Sequence, residues 1–588
     1  MVDTTNGSDE QQTATASPQP IGISFGNSYS SIAYTTADGK SEVIANEEGD
    51  RQIPTILSYV SGEEFVGTQA KAQLVRNPRN TVAYFRDFLG KGFEEVDVTQ
   101  CHGSAHAVPV EGGKSVGFEL VDKAPAEDET PAEKSLLGVG EVAARQFKRL
   151  RESASDFLGY DVQSAVVTIP TDFSQQQTAA LVAAAKQAGI DVLQTISEPV
   201  AALLAHDAKL RLALEDANSA IAADAKQQDQ IIVVADLGAT RSDIAVFASR
   251  GEIYTTLATA HDQEVGGSTL DQALIDYAAK EFLKKHKSAE DPRKNEKSLA
   301  KLKLESEAVK KALSIGASAN FSIESLSGGY DFSLTVNRTR FELLANKTLA
   351  SFVSLIQSAI KKADLDILDV DTILLSGGTS HVPKIASLLA ASFPETTTIV
   401  APSTSPAAVN PSELAARGAA IQASLIREFE QADIEASTEA VVTVTPHTSK
   451  PIGLATKDGF VVIVPADTPV PARRTAQILV AAGGDVFLQL TEGSHEIKVT
   501  KEEPAPATKN DDDEDDEDED DEDDEPEEIR EKVYKVGKTL AEIAIKGVKK
   551  DGKVEIQLNI GADLAVTAVC REVGGKGGVR GVVQAPSA

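Results

Sequence analysis

The sequence has few cysteines and no long apolar or basic runs, and each scarcity excludes a class of protein. Its 588 residues contain two cysteines, Cys101 and Cys570, which offer no disulfide framework and favour a reducing compartment. No run of about eighteen apolar residues occurs, so we expect no membrane-spanning helix. Direct duplex binding needs clustered lysine and arginine, and no long basic block is present. We therefore expect a cytoplasmic protein that contacts neither membrane nor nucleic acid directly.

What the sequence does contain is typical of a large folded protein. Hydrophobic residues make up 41% and charged residues 25%, close to ordinary globular proteins. Because single cores stop growing near roughly 250 to 300 residues, the length predicts at least two domains. Residues 1–20 are small and polar, without a basic start or an apolar stretch, so they are expected to form a disordered tail and not a signal or transit peptide.

The rest of the chain consists of two regions with different residue patterns, joined by a short linker. Residues 21–430 alternate short valine- and isoleucine-rich runs with longer helical stretches, which predicts an α/β domain with sheets covered by helices. Residues 451–588 contain alternating stretches such as VEIQLNI at 554–560, which predict half-buried strands and an all-β domain. Residues 431–450 lack a helical stripe and are predicted to be the linker.

An acidic segment interrupts the β domain. The net charge is −33, and the unbroken acidic run at 511–525, followed by Glu527 and Glu528, supplies 17 of the negative charges. Like charges repel and cannot bury apolar area, so we predict a solvated loop over residues 503–528. An electrostatic contact with a basic partner is the alternative interpretation.

The most informative feature is an internal repeat. The stretch ISFGNSYSSIAY at 23–34 aligns without gaps on ADLGATRSDIAV at 235–246. Each copy predicts a strand, a turn containing Gly26 or Gly238, and a second strand, so each turn could offer backbone N–H groups to a phosphate. Two such hairpins facing one another would clamp a polyphosphate.

A third glycine turn lies further along the chain. The stretch TILLSGGTSHVPKIASLL at 372–389 predicts a strand, the pair Gly377 and Gly378, and a helix, and glycine lets a flat ligand approach the backbone closely. A glycine after a strand more often only closes a turn, so each turn alone is weak evidence. The duplicated hairpin and the Gly-Gly turn in this order indicate a nucleotide site.

Taken together, these elements resemble the actin-like ATPase fold. Four further stretches resemble signature stretches of the DnaK-type chaperones, the heat shock protein 70 family: NPRNTVAYFRDFLGK at 77–91, AVVTIPTDFSQQQ at 165–177, ISEPVAALLA at 196–205 and VNPSELAARGAAIQA at 409–423. The resemblance runs from Gly22 to Val583. It implies a two-lobed, actin-like nucleotide-binding domain at 21–430, followed by a peptide-binding type of β-sandwich at 451–588.

The resemblance also implies an ATP site. On the phosphate side it implies the two hairpin turns and a further glycine pair: Gly26, Asn27, Ser28, Tyr29, Asp236, Gly238, Ala239, Thr240, Gly266 and Gly267. On the adenosine side it implies one helix and the third turn: Glu307, Lys310, Lys311, Ser314, Gly377, Gly378, Thr379 and His381. From spacing alone, the charged residues of that helix could equally form a solvated ion pair. ATP is the implied cofactor, Mg²⁺ is left open, and no metal ligands are assigned.

Several positions depart from the family pattern in ways that bear on ATP cleavage. The family has a carboxylate at both repeat positions, Ser24 and Asp236, and a catalytic lysine where Arg86 stands. Arg241 stands where the family has a threonine, whereas Glu198 and Asp243 are retained. Organising an attacking water needs these carboxylates and a cation, so we expect ATP binding with little or no hydrolysis and no catalytic residue. A working ATPase with tolerated changes is the alternative.

The second domain departs from the family as well. Leu454, Thr456, Phe460 and Val462 stand near the family's peptide groove, although alternating apolar residues could equally be core. The linker carries Val441, Val442 and Val444 in place of a leucine-rich acidic motif, so coupling between the domains is not expected. The end of the sequence, REVGGKGGVRGVVQAPSA, is too rich in glycine for the family's helical lid.

Within the family, these departures resemble the atypical Ssz-type fungal members of the ribosome-associated complex. This implies a cytoplasmic, ribosome-associated co-chaperone that forms a heterodimer with a J-domain protein of the zuotin type. Contact with the ribosome would run through that partner, and the pair would assist nascent polypeptides by stimulating a separate, active chaperone ATPase. The rival interpretations are an ATP-hydrolysing foldase and a nucleotide-exchange factor of the large acidic-loop type.

Overall fold

The computed structural model describes residues 19–98, 103–122, 134–217, 229–250, 253–405, 408–427, 446–457, 459–502, 527–575 and 578–583. The expected tail apart from its last two residues, most of the expected linker with its three valines, and the acidic run at 511–525 lie outside the described residues. The ten described α-helices are α1 Thr68–Arg76, α2 Val139–Leu158, α3 Gln175–Gln187, α4 Glu198–Ala217, α5 Gly267–Lys285, α6 Glu296–Ile315, α7 Arg338–Leu344, α8 Asn346–Lys362, α9 Pro383–Ser392 and α10 Leu414–Arg427.

The first lobe is built on a mixed sheet with the order β12-β11-β1-β2-β3. Its core contains Ile21, Ile23 and Phe25 of β1, and the Phe25 ring stacks on Phe147 of α2 with centroids 4.3 Å apart. The described strands of this lobe are β1 Ile21–Phe25, β2 Tyr29–Thr35, β3 Ser41–Ile44, β4 Ile53–Pro54, β5 Ile56–Val60, β6 Glu63–Val66, β7 Thr81–Ala83, β8 Ala107–Val110, β9 Ser115–Leu120, β10 Ser135–Gly138, β11 Ser164–Ile169 and β12 Asp191–Ser197.

The second lobe repeats this plan with the sheet order β15-β14-β13-β18-β19. In both lobes an antiparallel hairpin, β1–β2 or β13–β14, lies beside a parallel strand, β11 or β18, that pairs with the first strand of the hairpin. The internal repeat therefore reflects two lobes of the same plan. The strands of the second lobe are β13 Gln230–Leu237, β14 Ser242–Arg250, β15 Ile253–Asp262, β16 Ser318–Ser327, β17 Tyr330–Asn337, β18 Thr372–Ser376 and β19 Thr398–Val400.

The described residues from 446 onward form a β-sandwich of two four-stranded sheets. Leu454 and Leu490 of one sheet share a core with Ile556 and Leu558 of the other, as the alternation at 554–560 predicts. The sheets have the orders β21-β20-β23-β24 and β22-β25-β26-β27, with strands β20 Ile452–Thr456, β21 Gly459–Val464, β22 Ala472–Val480, β23 Gly484–Glu502, β24 Glu527–Val548, β25 Gly552–Ile560, β26 Val566–Glu572 and β27 Gly578–Val583.

The predicted fold class, an actin-like α/β domain followed by a β-sandwich, is thus confirmed, and no helical lid is evident among the described residues. Strand β24 begins at Glu527, inside the segment 503–528 that we expected to be a loop, because Glu527 and Glu528 pair with Glu502 and Lys501 of β23. The glycine-rich end of the sequence contributes β27, which pairs with β26.

Two polar contacts join the sandwich to the second lobe. Arg474 Nη2 lies 3.1 Å from Asp229 Oδ1, and Arg250 Nε donates to the Ala466 carbonyl at 3.3 Å. The sandwich is therefore held at the end of the β13–β14 hairpin that lies away from its turn.

No single described helix is long and apolar enough to cross a membrane. The pair α7 and α8 would pass by length and composition, with a bend of 67° between them. However, Phe341, Leu349, Phe352 and Ile356 of this pair are buried in the core of the second lobe. Their apolar surface is thus already covered by protein.

Candidate functional site

A cavity of about 400 Å³ lies between the two lobes. Its wall combines the turn of the first hairpin, the turn of the second hairpin, and helices α1, α5 and α6. Seven of the sequence-predicted site residues line it: Asn27, Ser28, Tyr29, Ala239, Thr240, Glu307 and Lys310. Two chain segments more than 200 residues apart in sequence, and related by the repeat, thus meet at one cavity.

The two hairpin turns contact each other directly. Asn27 Nδ2 donates to Thr240 Oγ1 at 3.1 Å, and the Arg86 backbone N–H donates to Asn27 Oδ1 at 3.0 Å. The second turn is closed by the Gly238 N–H, which donates to the Arg241 carbonyl at 2.9 Å. Asn27 is only 5% exposed, so its amide is a fixed link between the lobes where the two hairpins meet.

The predicted glycine pair at the start of α5 packs against the second hairpin. The Gly267 N–H donates to the Gly238 carbonyl at 3.0 Å, and the Ser268 N–H donates to the Ala239 carbonyl at 2.7 Å. Gly266 is the N-cap residue of α5. Because the Gly267 N–H donates within the protein, it is not directed to a ligand. The glycine pair instead orients α5 toward the cavity.

A charged cluster closes the cavity from both lobes. Tyr29 of the first lobe donates its hydroxyl to Glu307 of α6, and Lys71 of α1 lies 2.5 Å from the other carboxylate oxygen of Glu307. Lys311 also bonds Glu307 at 2.7 Å and the Tyr29 hydroxyl at 2.9 Å. Both ammonium groups lie over the Tyr29 ring, 4.9 and 4.5 Å from its centroid.

The electrostatics of this cluster favour an ionised Glu307. Burial opposes ionisation, but Lys71 and Lys311 together lower the pKa of Glu307 well below its usual range. Burial, aided by Glu307, raises the pKa of Tyr29, so its hydroxyl keeps its proton. Lys71 was not predicted from the sequence, because a lysine on a short helix has no distinguishing pattern.

The remaining adenosine-side residues do not line the cavity directly. Among the described residues that line the cavity, Lys311, Ser314, Gly377, Gly378, Thr379 and His381 do not occur. Ser314 Oγ donates to the Lys310 carbonyl at 3.0 Å within α6. Lys310 Nζ donates to the Gly267 carbonyl at 2.9 Å and to Asp271 at 2.8 Å, so it ties α6 to α5.

The turn after β18 is built around Gly377. Its φ is +83°, and a Cβ there would lie 2.3 Å from the Leu237 carbonyl, so only glycine fits. Thr379 Oγ1 then donates to the Gly238 carbonyl at 2.8 Å. His381 Nε2 lies 3.1 Å from both Asn410 Oδ1 and Ser412 Oγ, and burial lowers the pKa of His381, so this side chain stays neutral.

Arg86, which we expect at the position of the family's catalytic lysine, is 2% exposed and fully engaged with the first lobe. Its Nη1 lies 3.0 Å from Glu198 Oε1, and its Nε and Nη2 both lie 2.8 Å from Asp87 Oδ1. The guanidinium also lies 5.6 Å from the centroid of the Phe173 ring. Ser24 lies on β1 in register with Ser31 and contributes no charge to this region.

Arg241 is held in the same way on the second hairpin. Its Nε and Nη2 donate to the two oxygens of Asp243 at 2.7 and 2.9 Å, and Nη2 also donates to Asp172 at 2.5 Å. Thr171 Oγ1 donates to Asp243 at 2.6 Å. Thr171 and Asp172 belong to the first lobe, so Arg241 is a second link across the cleft. Neither residue was predicted, since both lie in an ordinary loop after β11.

Burial raises the pKa of two carboxylates near the arginines. The pKa of Glu198 is raised to about 8, although Arg86 attracts its charge. The pKa of Asp236 is raised to about 6, because it is buried and lies close to Asp243. The site therefore has fewer free negative charges at neutral pH than its number of acidic residues suggests.

Comparisons with known proteins extend over both parts of the structure. Residues 20–512 match the family described as Hsp70 protein. The chain is 42% identical over 564 residues to the ribosome-associated complex subunit SSZ1 of Saccharomyces cerevisiae, covering 95% of this chain and 99% of that protein. It is 41% identical to heat shock protein 70 homolog C57A7.12 of Schizosaccharomyces pombe, covering 95% of each. Heat shock 70 kDa protein 14 of Danio rerio is 30% identical over 77% of this chain and 84% of its own length.

Proposed function

Because the chain belongs to the Hsp70 family of chaperones, we propose that it binds ATP in the cavity between its lobes and cleaves it slowly or not at all. The observation that carries this proposal is the pairing of two of the site's three retained carboxylates with arginines. Arg86 holds Glu198 and Arg241 holds Asp243 in a region where Ser24 replaces a third carboxylate. The protein would then use ATP as a structural ligand.

The cavity wall supports the binding part of the proposal. Asn27, Ser28 and Thr240 bring amide and hydroxyl donors from both lobes, and Lys310 stands at the α6 side. A ligand that contacts both hairpins would also stabilise the closed arrangement of the lobes, because it binds that arrangement preferentially.

The positions of the arginines support the absence of cleavage. Attack on a terminal phosphate needs a carboxylate that orients the attacking water. It also needs a positive charge, such as a metal ion, that stabilises the transition state. Asp243 is instead fixed in an ion pair with Arg241, and Glu198, whose pKa burial raises to about 8, is held by a hydrogen bond from Arg86. Loss of one such group commonly slows a reaction by orders of magnitude, and here several positions are altered together.

For the cellular role, we propose a co-chaperone of the ribosome-associated complex that pairs with a J-domain protein of the zuotin type. A relative named as a subunit of that complex matches 95% of this chain at 42% identity, which supports this assignment. The pair would stimulate a separate, active Hsp70 on nascent chains. The chain itself would reach the ribosome through its partner and stay in the cytoplasm.

The direct test is co-expression with a zuotin-type J-domain protein. We expect a one-to-one heterodimer by light scattering, and we expect the chain to sediment with ribosomes only when the partner is present. A chain that sediments equally well alone, or a complex with two copies of it, would contradict the proposal. Nucleotide-dependent release of an unfolded peptide by the chain alone would favour the rival foldase function.

A further inference from the structure

The Hsp70 family binds ATP, usually together with Mg²⁺, and the carboxylates of this chain do not fit such an ion. In proteins Mg²⁺ requires octahedral oxygen ligands and is usually bound by several waters, one or two carboxylates and the substrate phosphates. Ser24 carries no charge, so three retained carboxylates remain to be considered for this role: Asp236, Asp243 and Glu198.

Most of the ligand positions of Asp243 are occupied. A carboxylate offers about four lone-pair sites. Its Oδ1 accepts from Thr171 Oγ1 at 2.6 Å, from the Thr171 N–H at 3.3 Å and from Arg241 Nη2 at 2.9 Å, while Oδ2 accepts from Arg241 Nε at 2.7 Å. With a residue exposure of 1%, it also has no space for hydrating waters.

Glu198 is buried and is occupied on one of its two oxygens. It is 6% exposed, and its Oε1 accepts from Arg86 Nη1 at 3.0 Å. Asp236 alone remains without a cation directly bonded to it. Throughout the part of the chain that the structure describes, no group of three or more His, Cys, Asp or Glu residues is arranged to hold a metal ion. One isolated carboxylate is a weak anchor for a hydrated dication.

Arg241 can supply a positive charge from the protein side, since it directly follows Thr240 of the cavity wall. A guanidinium has five N–H donors. Arg241 uses Nε and Nη2 in its contacts, and its Nη1 donates to no acceptor among the described residues. Two donors thus remain for an anion.

We propose that this chain binds ATP without a divalent cation, with the Arg241 guanidinium in place of the metal. The proposal rests on the nucleotide binding proposed above and concerns the form of the ligand. The site would take free, metal-uncomplexed nucleoside triphosphate at least as well as the magnesium complex. Its affinity would then be insensitive to chelators of divalent cations.

The test is a calorimetric titration of the nucleotide-free protein with ATP, once in excess EDTA and once in excess MgCl₂. We expect dissociation constants that agree within about threefold. Binding that is tenfold or more weaker in EDTA would overturn this inference while leaving nucleotide binding intact. Absence of binding in both buffers would overturn the proposed nucleotide binding and this inference with it.

A double variant tests whether Arg241 is responsible. Ser24→Asp with Arg241→Thr restores the carboxylate and frees Asp243, so its ATP binding should weaken at least tenfold in EDTA. Arg241→Lys keeps a positive charge and should stay within about threefold between the two buffers. Thermal unfolding of each variant verifies that it is folded. A folded double variant that is still insensitive to EDTA would contradict the role given to Arg241.

Discussion

Asn27 and Thr240 lie in the two corresponding turns of an internal repeat. A hydrogen bond of 3.1 Å joins them across the cleft between the lobes. The same amide accepts the Arg86 N–H at 3.0 Å, so one side chain connects both hairpins to the segment that carries Arg86. The geometry at this end of the cavity therefore depends on the side chain of Asn27.

Replacing Asn27 should cost more stability than replacing Thr240. Asn27→Ala removes both hydrogen bonds and leaves the buried Arg86 N–H unsatisfied, so we expect a loss of about 2–3 kcal/mol. Thr240→Val removes only the bond between the hairpins and should cost about 1 kcal/mol. Urea unfolding of both variants measures the difference. Equal losses would show that the bond to Arg86 contributes nothing.

The cluster of Tyr29, Lys71, Lys311 and Glu307 should keep the lobes closed over a bound nucleotide. Glu307→Gln breaks two short ion pairs between the lobes and within α6, so we expect bound ATP to dissociate about tenfold faster. The exposed pair Lys148–Glu152, at 3.9 Å, offers a matched control, since Glu152→Gln should leave the dissociation rate unchanged. Stopped-flow release of a fluorescent ATP analogue gives both rates.

The contribution of Glu307 to holding the lobes closed should depend on pH with a definite sign. Because the pKa of Glu307 is lowered in the folded protein, its stabilising contribution is present above the unfolded pKa of about 4.3 and is lost as the pH falls toward the folded value. The difference in ATP dissociation rate between the wild type and Glu307→Gln should therefore be constant between about pH 6 and pH 8. A difference that changes across that window would contradict the assignment.

Glu198 should contribute to stability with the opposite dependence on pH. Burial raises its pKa to about 8, so the folded state holds the proton more tightly than the unfolded state. Its favourable contribution is complete below the unfolded pKa of about 4.3 and is lost as the pH rises through about 8. Between about pH 6 and pH 8.5, the free energy of unfolding measured in urea should fall by on the order of 1–3 kcal/mol more for the wild type than for Glu198→Gln. Equal losses would show that the Glu198–Arg86 pair is ionised throughout.

Gly377 and Gly39 form a matched pair for testing the turn after β18. Both have positive φ, +83° and +79°, but a Cβ at Gly377 would meet the Leu237 carbonyl at 2.3 Å, whereas nothing lies within 4 Å at Gly39. Gly39→Ala should cost about 1–2 kcal/mol, and Gly377→Ala about 3 kcal/mol or more. Unfolding midpoints of the two variants provide the comparison, and similar losses would mean that the close approach relaxes freely.

Local patterns in the sequence were sufficient to predict the elements that carry the site. A strand, a glycine turn and a second strand are encoded within twelve residues, which is why the repeat identified both hairpins. The alternation of Val554, Ile556 and Leu558 likewise predicted β25 of the sandwich. In each case the signal and the element occupy the same short stretch.

Contacts between the lobes were beyond the reach of such patterns. Lys71 and Glu307 are 236 residues apart, and each belongs to an ordinary charged helix surface. Asp172 meets Arg241 only because two separate sheets face each other across the cleft. His381 bonds Asn410 and Ser412 because the loop before α10 approaches it, and no local pattern indicated those two partners.

The central claim is that this chain retains ATP uncleaved, and single-turnover hydrolysis of γ-labelled ATP bound to the purified protein tests it most directly. The reaction should be followed with and without the J-domain partner, for the wild type and for Ser24→Asp. We predict that the label stays on the nucleotide in all four reactions, because Arg86 and Arg241 continue to hold Glu198 and Asp243. Rapid release of labelled phosphate from the wild type, stimulated by the J-domain partner, would contradict the claim.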